Sequence, residues 1–150
     1  MRLDERAWVA PFQVIEEHPL KDTNWVVFKL EFKNTGKTPA LNISEWHKTA
    51  TSLGEVAISK APELPSTTNS MMLAPDGVSF IKVETVGYGA SNAIHNGMPV
   101  FIYGRIIYED IFGNRHWTDF CWVCDSLLNW KPAAIRNSCD DAKNTSTQNK

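Results

Sequence analysis

No stretch of this chain is long and apolar enough to cross a bilayer. Its apolar runs, Trp25-Val26-Val27-Phe28 among them, hold about four to six residues, whereas a spanning helix needs about 20. Charge of one sign is missing too: Lys and Arg number 15 against 17 Asp and Glu in 150 residues. That balance excludes the basic face on which nucleic-acid binding depends, and an acidic disordered tail. Histidines never fall at His-x-His or His-x-x-x-His spacing, so no metal site is expected and no cofactor with it. No secretory leader is evident, since Met1-Arg2-Leu3-Asp4-Glu5-Arg6 is charged. Helical periodicity of any length is absent as well.

What the chain has instead is alternation. From Met98 to Val123, Val100, Ile102, Gly104, Ile106 and Tyr108 fall on one side of an extended chain, with Phe101, Tyr103, Arg105, Ile107 and Glu109 on the other. After Asp110-Ile111-Phe112-Gly113-Asn114 the period resumes, His116, Thr118, Phe120 and Trp122 alternating with Trp117, Asp119, Cys121 and Val123. β-branched and aromatic residues at period two around a Gly-Asn turn predict an antiparallel hairpin, and its two apolar faces predict a central place in a sheet. Further strands are expected at Ala7–Glu17, where Pro11 favours an edge or a bulge, at Trp25–Lys33, at Ala40–Lys48 and at Val78–Val86. Thr49 to Ser70 reads as a long connection with a short strand at Val56–Ser59, and Gly87 to Gly97 as a loop with one helical turn. Six or seven such strands are buried most naturally in two packed sheets. The expectation is an all-β, immunoglobulin-like antiparallel sandwich of about seven strands, a small β-barrel being the alternative. One domain over 1–139 and a disordered tail over 140–150 complete the organisation, because Asp140 to Lys150 holds no apolar side chain larger than alanine.

Several short motifs occur in a telling order: Arg6-Ala7-Trp8-Val9, Asn34-Thr35-Gly36-Lys37-Thr38-Pro39-Ala40, Leu73-Ala74-Pro75-Asp76-Gly77, Tyr103 to Gly113, and Trp117-Thr118-Asp119-Phe120-Cys121. Together they resemble a family of bacterial proteins of uncharacterised activity. Its members carry one or two N-terminal membrane helices followed by an extracytoplasmic β-sandwich. The resemblance implies a periplasmic or cell-envelope location, with membrane attachment only through a segment that Met1 replaces. It carries over no catalytic residues.

Chemistry has few candidates. Cys121 and Cys124 lie three apart on a strand and so face opposite sides, which disfavours a mutual bond or a shared metal. In an oxidising compartment a Cys121–Cys139 disulfide is expected, contributing about 3 kcal/mol through loop entropy, with free thiols, Cys124–Cys139 or a metal as the alternatives. His116 with Glu109, Asp110, Arg115 and Asp119 is the densest ionisable cluster; a hydrolase would use His116 as general base, but the expected role is that of solvated rim residues. Six tryptophans are the compositional oddity. Trp8 and Trp122 are expected in the core, whereas Trp25, Trp46 and Trp117 are the candidates for an exposed carbohydrate- or peptide-binding strip. The function expected on balance is a non-catalytic interaction or scaffolding domain with an unidentified protein partner, no nucleic-acid partner and no assigned oligomeric state.

Overall fold

The computed structural model describes residues 5–17, 25–58, 60, 71–86, 92–93, 96–125 and 129–140. Alternation becomes strand wherever the sequence carries it: β1 (Val9–Glu16), β2 (Trp25–Asn34), β3 (Leu41–Ala50), β4 (Val78–Val86), β5 (Val100–Glu109) and β6 (Arg115–Cys124). Two short strands without a sequence signal follow, β7 (Trp130–Pro132) and β8 (Ser138–Cys139). β1, β2 and β4 form one antiparallel sheet in the order β1-β2-β4; the other runs β3-β5-β6-β7, with β8 also pairing β6. Neither sheet closes into a barrel. Pro11 does what its missing N–H predicts: β1 is the end strand of its sheet, and the register slips between Pro11 and Gln13.

The layer between the sheets is built from one parity of each strand. Phe28, Leu30 and Phe32 from β2 meet Ile102, Ile106 and Tyr108 from β5 and Phe120 and Trp122 from β6 in one apolar cluster. Gly104 belongs to this parity because nothing larger fits. A Cβ there would run into the Trp46 carbonyl and come within 2.8 Å of the Phe120 ring. The opposite parity of β5 and β6 also packs. Phe101, Tyr103 and Cys121 join Trp46, Ala50 and Val56 in a second cluster outside the five-stranded sheet.

Val56 comes from α1 (Leu53–Ile58), where a short strand was expected. Ser52 explains the helix. Its carbonyl accepts the Val56 amide at 3.4 Å and its Oγ accepts the Glu55 amide at 3.3 Å, a capping arrangement that period-two reasoning overlooks. Of the expected turn near His95, Asn92 and Ala93 are helical; the neighbouring Ala90–Ser91 and Ile94–His95 lie outside the described residues.

Candidate functional site

Two members of the ionisable cluster, Asp110 and His116, are buried rather than solvated, whereas Arg115 is exposed as expected and Glu109 and Asp119 are half-buried, Asp119 turned to Arg105. Asp110 is fully buried, Arg6 is 2% exposed and His116 8%. His116 follows the inward parity of β6, which turns it under the sandwich rather than out of it. Its Nε2 lies 3.1 Å from Asp110 Oδ2 and its Nδ1 2.6 Å from Asp140 Oδ2. Arg6 Nη1 stands 2.9 Å from the same Nδ1 and 3.3 Å from Asp140 Oδ2. Asp140, expected to begin a tail, is instead docked by these contacts; residues 141–150 lie outside the described residues.

Asp110 also organises the hairpin turn. Its Oδ1 accepts the amides of Phe112 and Asn114 at 2.9 Å each, and Oδ2 accepts Asn114 Nδ2 at 2.9 Å. Desolvation pushes its carboxyl up, but the bonds from Asn114, His116 and Phe112 outweigh it and hold the group down at about 2. Beside it, burial pushes the Tyr108 hydroxyl up to about 12, with Arg6 opposing. The quartet therefore joins two cations to two carboxylates once both ring nitrogens are protonated. A general base needs a free lone pair aimed at substrate, and both nitrogens of His116 are committed to carboxylates.

The tryptophan candidates do not converge. Trp25 lies on β2 in the three-stranded sheet, its side chain outside the described residues, whereas Trp46 and Trp117 lie on β3 and β6 of the other sheet. Trp46 is buried edge-on against Tyr103, ring centroids 6.1 Å apart. Trp117 is half-buried under the Arg105 guanidinium, 4.3 Å above its ring, and Arg105 is held by Asp119 at 2.5 and 2.9 Å. A strip made of these three is corrected by placement alone.

The expected Cys121–Cys139 bond is not formed; all three thiols are free. Cys139 pairs in register with Thr118, three residues from Cys121 along β6. That offset is about 10 Å and the two residues have opposite parity, beyond what a disulfide spans. Cys121 and Cys124 do face opposite sides, one in each apolar cluster. Burial pushes both thiols up to about 11, so neither is a nucleophile at neutral pH. Among the described residues no group of His, Cys, Asp or Glu is arranged to hold a metal.

A groove of about 540 Å³ opens between the edges of the two sheets, a location no sequence motif marked. Trp8 and Val9 to Pro11 form one wall and Ser138-Cys139 the other, over a floor of Phe120 and Trp122. Trp8, expected in the core, is half-buried. Its amide donates to Asn34 Oδ1 at 3.0 Å, and the Arg6 guanidinium lies 3.7 Å from its ring. Asn34 is the hidden organiser, fully buried at the end of β2. Its Oδ1 also accepts the Gly36 amide at 3.0 Å, and its Nδ2 donates to the carbonyls of Thr38 and Leu73. Comparison of the chain with protein-family models, curated proteins and solved structures finds no match.

Proposed function

We propose that this chain is a non-catalytic interaction domain, an immunoglobulin-like sandwich from the extracytoplasmic part of a bacterial membrane-anchored protein, and that it binds its protein partner in the groove beside Trp8. The observation that carries the reading is a division of labour. Histidine and its carboxylates are spent on one another in a largely buried cluster, while the open concavity is lined mostly by aromatic and small side chains, with Asp119 among them. A volume of about 540 Å³ falls within the range of ligand sites, and such sites are mostly apolar with a few polar groups at the rim. The immunoglobulin-like assignment is supported by strand order: first, second and fourth strands in one sheet, third, fifth and sixth in the other, as in sheets A-B-E and C-F-G. The envelope location and the anchor rest on the motif resemblance.

An extended segment bearing an aromatic or aliphatic side chain suits a groove flanked by strand β1, whose outer edge carries no strand partner among the described residues. Titrating the ¹⁵N-labelled chain with short peptides that differ only in one central side chain tests this. Shifts should concentrate at Trp8, Val9 and Cys139 for aromatic peptides and vanish in Trp8→Ala. Shifts confined to Trp46 and Trp117, or no binding by any peptide, would overturn it.

A further inference from the structure

We infer that Arg6, Asp110, His116 and Asp140 form a charge-operated latch that holds the C-terminal wall of the groove in place, an inference resting on the groove being the binding site. The two walls are the chain neighbours of latch members: Trp8 follows Arg6 by two residues, and Cys139 directly precedes Asp140. β8 is only two residues long, joined to β6 through Thr118–Cys139 and Asp119–Ser138. So short a strand has little hold of its own. Asn137 ties its start to β6, accepting the Cys121 amide at 3.0 Å and donating to the Cys121 carbonyl at 3.3 Å, and the Asp140 side chain is the clasp at its other end.

That clasp depends on one proton. With both ring nitrogens protonated, His116 donates to Asp110 and to Asp140, Arg6 supports Asp140, and two positive charges meet two negative ones. With a neutral ring, Arg6 Nη1, which can only donate and stands 2.9 Å from Nδ1, favours the tautomer that keeps Nε2–H on Asp110 and turns the Nδ1 lone pair to Asp140 Oδ2 across 2.6 Å. Two acceptors at that separation repel. Arg6 Nη1, already 2.9 Å from Nδ1, then serves the ring instead of Asp140. The quartet gains a net negative charge in a buried site, and Asp140 is the member that leaves, being the most exposed of the four.

The other groups facing His116 do not compete. Tyr108 of β5, 5.5 Å away ring to ring, stays neutral, and Asp110 of the hairpin turn stays ionised. The wall is therefore fastened at lower pH and released as the ring loses its proton.

The test follows the backbone amides of Ser138 and Cys139 and the Trp8 indole N–H of the full chain between pH 5.5 and 8.5. In the wild type the three signals should move together with one midpoint. Asp140→Asn should hold them at the high-pH position throughout, and His116→Gln should abolish the transition; Asp140→Asn alone suffices if the histidine variant does not fold. Invariant signals in the wild type, or a transition persisting in Asp140→Asn, would overturn the latch. A peptide with a central aromatic side chain should bind roughly tenfold more weakly with the wall released, within the usual range of coupling between sites. Moving signals with an unchanged affinity would leave the clasp standing and refute the groove as the binding site.

Discussion

The outer faces of the two sheets begin from the same kind of sequence and end in opposite conditions. Outside the five-stranded sheet, Phe101 and Tyr103 are covered by Val56 of α1 and packed against Ala133 and Ile135, so Phe101 is 5% exposed. Outside the three-stranded sheet, the corresponding parity sets Phe80, Val78 and Ile15 beside Lys29, Glu31 and Lys33, and Phe80 is 54% exposed. Phe12 joins this bare face because the bulge after Pro11 places two successive residues on one side. Alternation decides which residues share a face. Whether that face is then buried is decided by segments elsewhere in the chain.

The largest effect should come from the crowded sheet. Gly104→Ala forces a methyl group into the Trp46 carbonyl and the Phe120 ring, groups fixed by both clusters. We expect a loss of at least about 3 kcal/mol, the upper end for overpacking, measured as the shift in a urea midpoint. A loss under 1 kcal/mol would mean that β3 and β5 separate easily there. Next comes Phe101→Ala, which empties a site in the second cluster and should cost about 3 kcal/mol. An effect no larger than that of a surface change would show that α1 does not hold the cover in place.

The quartet lies between the sheets and should be indifferent to both outer faces. Asp110 has its folded value depressed from 3.8 to about 2, so the unfolded chain binds its proton first as pH falls. Its contribution is therefore complete above about pH 4 and lost as pH drops towards 2. Thermal midpoints between pH 6 and 2 should fall in that window for the wild type and fall less for Asp110→Asn, which starts lower. Parallel curves would show that the turn bonds to Asp110 do not persist in solution.

Much of the fold was legible because period two is a local signal. β4 is read to its ends, and the hairpin parity puts Ile102 with Tyr108 and Phe120 with Trp122, pairs that share the apolar cluster between the sheets. The site was not legible, for reasons of distance along the chain. His116 meets Arg6 across 110 residues and Asp140 across 24, so its neighbours in sequence gave a false picture of solvation. The groove wall β8 has two residues, too few for any period to show. Tryptophan ranking failed similarly. Trp46 alternates with polar neighbours, yet it is covered by Tyr103 and Arg136 brought from β5 and from the chain after β7.

The smallest effect should be Phe80→Ala, the matched partner of Phe101→Ala. Both remove the same ring from an outward-facing strand position, so transfer and propensity terms largely cancel between them. On the bare face the ring already meets water and touches the Lys29 ammonium at 4.7 Å, an exposed contact contributing well under about 1 kcal/mol. Loss of β propensity adds a few tenths on a strand that pairs only β2 among the described residues. The variant should stay within about 0.5 kcal/mol of the wild type, like other surface changes. A loss near that of Phe101→Ala, independent of protein concentration, would mean that the three-stranded sheet is covered in solution by another part of the same chain. A loss that grows with dilution of the wild type's advantage would place a second molecule there, and the two faces would then differ only in whether their cover comes from within.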